Sequence, residues 1–170
     1  RGKILVMETT KIKDLTPFKD VNEITETLVQ EVQGIIGDEL VGLYLTGSLT
    51  YGDFDPGRSD IDFLAVIQRP LSKEKLNEIK AIHTQIGEKY PKWSKRIECS
   101  YVPTDFLQSV LPPETPRPYF GEGVFYEEAP YGNEWTINQY ILYRHGLALI
   151  GPDFKKLVTP IDIKDVQKAC

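Results

Sequence analysis

Leu43-Tyr44-Leu45-Thr46-Gly47-Ser48 and, eleven residues on, Asp60-Ile61-Asp62-Phe63-Leu64-Ala65-Val66 form the stretch whose reading decides the fold. An apolar strand ends on a small-residue turn, and a second apolar strand opens on two acids. Side chains two apart on a strand share a face, which sets Asp60 and Asp62 side by side with Cα atoms roughly 6–7 Å apart. Two carboxylates held beside a core repel each other and lose solvation, so the pair calls for a cation. Hard oxygen donors with room for water and phosphate favour Mg²⁺.

The Gly-Ser turn supplies the complementary half. Gly47 carries no Cβ and lets a ligand approach the backbone closely. N–H groups at a turn leading into a short helix cradle an anion, and the Ser48 hydroxyl adds a donor. A seat for polyphosphate opposite paired metal-binding acids describes the chemistry of nucleotidyl transfer. A Gly-Ser pair alone is more often only a loop; the spacing of the whole string carries the reading.

Composition bounds the alternatives. A chain of 170 residues, 41% hydrophobic and 26% charged, is large enough for one folded domain and too apolar to be disordered. No apolar run approaches the roughly 20 residues of a membrane span, and Arg1 to Met7 is too short an apolar stretch for a secretory signal. Residues 1–17 read as an amino-terminal tail. Two cysteines, Cys99 and Cys170, build no disulfide framework, which fits reduced thiols in the cytoplasm. The formal charge of −5 disfavours non-specific polynucleotide binding, and with it a polymerase; an acidic surface attracts polycations instead.

Along the chain, Asp20-Val21-Asn22-Glu23 reads as a capping box, followed by helical spacing of Val21, Ile24, Leu28, Val32 and Ile35 and a stop at Gly37. Leu40 to Thr46 is a buried strand; Ser48 to Phe54 is a short helix or tight loop ending in the turn Asp55-Pro56-Gly57; Asp60 to Gln68 is the second strand. Ser72 caps a helix to about Tyr90, with His83 inside its apolar stripe as a hydrogen-bonded core histidine. Arg96 to Val102 is a third strand. Six prolines between residues 103 and 133 mark a long irregular surface excursion. Glu134 to His145 is a largely buried helix, with Arg144 and His145 suiting the dipole at its end. Leu147 to Pro152 is extended, and Asp162-Ile163-Lys164-Asp165 reads as the first turn of a further helix. The element order predicts an α/β domain over residues 18–157, a mixed sheet flanked by helices.

Transfer to an alcohol also needs an acceptor for the hydroxyl proton. Glu98 is the lone acid within the third strand, between Ile97 and Cys99, and converges on Asp60 and Asp62 if that strand lies beside theirs. The competing reading is an edge glutamate facing water. Asp53, Asp55 and Asp105 read as turn and loop acids.

Gly47-Ser48, the spacer, Asp60-Ile61-Asp62 and Glu98 on a later strand together resemble the polymerase-beta-like nucleotidyltransferase superfamily. Tyr119-Phe120-Gly121-Glu122, the segment Gly146 to Pro152 and Val158-Thr159-Pro160-Ile161 extend the resemblance toward the bacterial aminoglycoside adenylyltransferases that modify streptomycin and spectinomycin. Where those enzymes follow Phe-Gly-Glu with tryptophan, this chain has Gly123. The resemblance implies that Asp60 and Asp62 bind two Mg²⁺ ions, that Glu98 completes the metal site and acts as general base, and that Gly47, Ser48 and Ser59 hold the triphosphate of ATP. It further implies a helical carboxy-terminal domain, of which residues 158–170 would be the start. The expected reaction is transfer of AMP from Mg·ATP to a hydroxyl of a small molecule, an aminoglycoside for example. The alternative is a nucleotide-binding regulatory or antitoxin-like module with no small-molecule acceptor.

Overall fold

The computed structural model describes residues 6–7, 9–158 and 167. Within them lie α1 (Thr9–Lys13), α2 (Lys19–Ile36), β1 (Leu40–Thr46), β2 (Ile61–Ile67), α3 (Lys73–Lys89), β3 (Ile97–Pro103), β4 (Arg117–Gly121), β5 (Val124–Ala129), α4 (Glu134–His145) and β6 (Leu147–Ile150). The strands make one mixed sheet in the order β5-β4-β3-β2-β1-β6. Only β2 and β3 run parallel; the other neighbours are antiparallel. The helix at Asp162 expected from sequence lies outside the described residues, as does most of 158–170.

Period-two alternation divides the sheet into two unequal layers. Ile61, Phe63, Ala65 and Ile67 of β2 face the larger core, where Val21, Ile24, Leu28 and Val32 of α2 and Ile79, Ile82 and Ile86 of α3 pack against them. Leu64 and Val66 face a smaller cluster with Tyr44, Val102, Trp135 and Leu142, closed by α4. Asp62 belongs to this second face, just beyond the edge of its apolar cluster. Within the segment 1–17, Ile12 of α1 is buried in the larger core and Val6 bridges Ile150.

Three expectations need correcting. Asp20 does not cap α2: the position before the helix is Phe18, and Asp20 instead accepts the Trp93 indole N–H at 2.6 Å, while Glu23 accepts from the Tyr90 hydroxyl at 3.1 Å. Tertiary partners about 70 residues away claim both side chains of the supposed capping box. The proline-rich excursion also contains a β-hairpin, β4–β5, turned by Glu122 and Gly123 at φ 54° and 81°. Finally, α4 buries one face only, with Trp135, Thr136, Gln139 and Leu142 inside and Ile137 exposed. The stop at Gly37 (φ 63°) and the Ser72 cap, whose Oγ accepts from Lys75 N at 3.2 Å, form as the sequence suggests.

Candidate active site

The parallel register sets Asp62 directly opposite Glu98, and the antiparallel register sets Thr46 opposite Asp62. The end of β1, the start of β2 and the start of β3 thus meet at one point. Asp60, immediately before β2, joins them: one carboxylate oxygen from each of Asp60, Asp62 and Glu98 lies within 4.8 Å of the others, Asp60 being the most exposed.

Burial raises both aspartates. Desolvation, then hydrogen bonding and repulsion from Glu98, pushes the Asp62 carboxyl up to about 8. Asp60 is raised by the same causes, with Arg96 opposing. Three hard oxygen donors whose mutual repulsion is relieved only by a proton or a cation fit a divalent ion.

On the facing side, Gly47 sits at φ 74°, and a Cβ there would collide with Asp62 Oδ2. Glycine is thus required twice, for the left-handed backbone and for the carboxylate beside it. A single 3₁₀ turn, Gly47–Leu49, follows, held by Thr50 N and Oγ1 donating to the Gly47 carbonyl at 3.0 and 2.7 Å. Among the described residues, the Ser48 hydroxyl makes no hydrogen bond. Ser59 shapes the approach to Asp60: its Oγ accepts from Asp55 N at 2.9 Å, leaving its proton free to donate, and its carbonyl accepts from Arg96 Nε at 3.1 Å. Arg96 in turn lies over Trp93, 4.2 Å from the ring centroid.

Beside the carboxylates opens a cleft of about 480 Å³ between the sheet and α4. Its wall carries residues to which sequence reading gave no role at the site: Arg117, Tyr119, Tyr126 and Glu128 of the hairpin, and Glu134 and Asn138 of α4. The Tyr119 hydroxyl donates to Glu98 Oε1. Burial and the Glu98 carboxylate both raise the Tyr119 phenol, which keeps it a neutral donor. The available signal was the alternating aromatic run Tyr119-Phe120-Gly121 and Val124-Phe125-Tyr126 about a Glu-Gly turn. His83 sits on the opposite face of the sheet, buried, with Nε2 2.7 Å from the Tyr101 hydroxyl. His145 ends α4 with its ring 5.7 Å from that of Tyr51. Cys99 is buried and free, its thiol pushed up to about 12 by burial, and so unreactive.

A family model described as nucleotidyltransferase domain matches residues 22–111. Among solved structures, the spectinomycin adenyltransferase AAD(9) from Enterococcus faecialis, crystallised with ATP and spectinomycin, matches with a TM-score of 0.65 and 23% identity. The match covers 86% of this chain and 63% of that one, so the chain spans less than two thirds of that protein's length. At that identity the likeness is one of fold. No curated protein compared with the chain matches it. No described helix is long and apolar enough to cross a membrane.

Proposed function

This chain belongs to the nucleotidyltransferase domain family, whose model spans just over half of it, and we propose that it transfers AMP from Mg·ATP to a hydroxyl of a small molecule, with an aminoglycoside as the leading acceptor. The observation that carries this reading is the gathering of Asp60, Asp62 and Glu98 around one point, with the Gly47 turn packed against Asp62. Asp60, Asp62 and Glu98 would hold two Mg²⁺ ions. When bound, such ions neutralise phosphate charge and make the acceptor hydroxyl more acidic.

The chain's own residues divide the remaining work. Gly47, Ser48 and Ser59 seat the triphosphate through backbone N–H groups and hydroxyls. Glu98 takes the proton of the acceptor hydroxyl as its oxygen bonds to the α-phosphorus and the bond to pyrophosphate breaks in line. The cleft beside Glu98 receives the acceptor. Glu128 and Glu134 on its wall suit a hydroxylated polycation, and Tyr119 and Tyr126 offer ring faces. Residues 18–157 constitute this nucleotidyltransferase unit. The site of action is the cytoplasm, where ATP and reduced thiols are found.

Incubation with ATP labelled in the α-phosphate, Mg²⁺ and a panel of aminoglycosides tests the reading. Label on a drug, with release of pyrophosphate, is the expected result. Label on protein and on no drug would overturn it in favour of the regulatory or antitoxin-like module.

A further inference from the structure

The antiparallel register of β3 and β4 pairs Ser100 with Tyr119, so Glu98, two residues before Ser100, faces Gly121, two residues after Tyr119. The Tyr119 ring leans along β4 over Gly121, where a Cβ would come within 2.6 Å of ring atoms. That lean carries the hydroxyl across to Glu98 Oε1, to which it donates. Two neighbours pack against the ring. The Arg117 guanidinium lies 4.8 Å from its centroid and 4.5 Å from that of Tyr131. Arg117 is itself fixed by donating to the Ala129 and Pro130 carbonyls at 3.2 and 2.6 Å. Tyr126 stacks on Tyr119 with 19° between the planes and 6.5 Å between centroids.

We infer that Tyr119 is a positioning residue for Glu98: its hydroxyl holds one carboxylate oxygen so that the other stays turned toward Asp60 and Asp62. A glutamate on a strand has three rotatable bonds, and a carboxylate free to swing loses part of its binding energy to ordering each time an ion arrives. The Arg117–Tyr119–Tyr126 stack removes that freedom beforehand. Gly121 leaves the space in which the ring can lie.

The inference rests on the reading of Glu98 as a metal-site residue, and the test separates the two. Mn²⁺ alone is titrated into the protein, free ion being followed by electron paramagnetic resonance, for wild type, Tyr119→Phe, Glu98→Ala and the double variant. Transfer of labelled AMP and the thermal midpoint are measured alongside. Tyr119→Phe keeps the ring and its stacking, so the thermal midpoint should hold. Mn²⁺ affinity should fall about tenfold, the scale of one hydrogen bond to a charged group. The loss should vanish in the Glu98→Ala background, and kcat should fall while the KM for ATP stays near wild type. Should Tyr119→Phe not fold, Gly121→Ala, which keeps the hydroxyl but displaces the ring, should give the same weakening. Equal affinity in wild type and Tyr119→Phe, with Glu98→Ala weaker, overturns the inference alone. An undiminished Tyr119→Phe effect in the Glu98→Ala background overturns it too. Affinity unmoved by Glu98→Ala contradicts the reading of the site itself.

Discussion

The sheet buries ionisable groups on both faces, a lone histidine on one and a cluster of acids on the other. On the face covered by α2 and α3, His83 lies between α3 and the strands, its ring stacked on Phe120 at 4.4 Å and Nε2 bonded to Tyr101. Burial drives its pKa down to about 3, so it is neutral. Its Nδ1 has no partner among the described residues. On the other face, Asp62 is driven up to about 8, yet three carboxylates crowd the same point. The core disposes of a buried charge by discharging the group. The site keeps acids where only a proton or a ligand can settle them. A structural polar group needs no visitor; the trio is suited to receive one, as the proposed function requires.

The largest effect that would break this contrast comes from the acids. Asp62→Asn should lower Mg²⁺-dependent transfer by about a thousandfold or more, the scale of lost transition-state charge stabilisation. The metal-free protein should melt no earlier than wild type, since the substitution removes repulsion. His83→Ala should do the reverse. It opens a cavity and removes the His83 partner of the Tyr101 hydroxyl, costing about 2–3 kcal/mol in denaturant unfolding, while the folded protein should transfer AMP within about twofold of wild type. A catalytic loss from His83→Ala without loss of stability would erase the distinction between the faces.

Next in size is Gly47→Ala. The added methyl strains a backbone at φ 74° and pushes on Asp62, so transfer should fall about a hundredfold, as expected for misplacement of order 1 Å. Wild-type rates in this variant would show that the turn and the carboxylate are independent.

The two faces should also separate by pH. Folded Asp62 binds a proton between its ordinary value of 3.8 and about 8, where the unfolded chain does not, so metal-free stability falls as pH rises through that window. Folded His83 resists the proton that the unfolded chain takes up below 6.5, so stability also falls as pH drops from 6.5 toward 3. Between 3.8 and 6.5 the two slopes oppose each other, so thermal midpoints should hold a plateau there and fall on either side. Asp62→Asn or added Mg²⁺ should remove the alkaline fall and leave the His83 slope unopposed up to pH 6.5, whereas His83→Phe should remove that slope and leave the Asp62 fall from 3.8 upward.

How much of this was legible in the sequence follows from how local each signal is. The bounds of β1 and α4 and the Ser72 cap are written in short apolar runs and their flanking turn residues, and they form where expected. The closeness of Glu98 to the aspartates needed one further step, the pairing of β2 with β3, which two adjacent buried strands make natural. The capping box failed because Asp20 and Glu23 serve distant aromatic residues. The hairpin was hidden by its prolines. Pro118 falls where the β4–β5 register slips and outside the β3 ladder, so it costs the sheet no hydrogen bond and the strand tolerates it. Tyr119 and Arg117 reach the cleft only through that hairpin, so the Tyr119-Phe120-Gly121-Glu122 motif, though visible in the sequence, assigned neither residue a place beside Glu98. The smallest prediction belongs to the legible class: Ser72→Ala should cost about 1 kcal/mol in denaturant unfolding, as for other helix caps, and leave transfer unchanged.

Diffraction from crystals grown with Mn²⁺ and a non-hydrolysable ATP analogue tests the central claim most directly. The expected result is anomalous density about 2.1–2.2 Å from carboxylate oxygens of Asp60 and Asp62, with Glu98 turned toward it and the triphosphate on the Gly47–Ser48 turn. Metal bound elsewhere, or a triphosphate seated away from that turn, would contradict it.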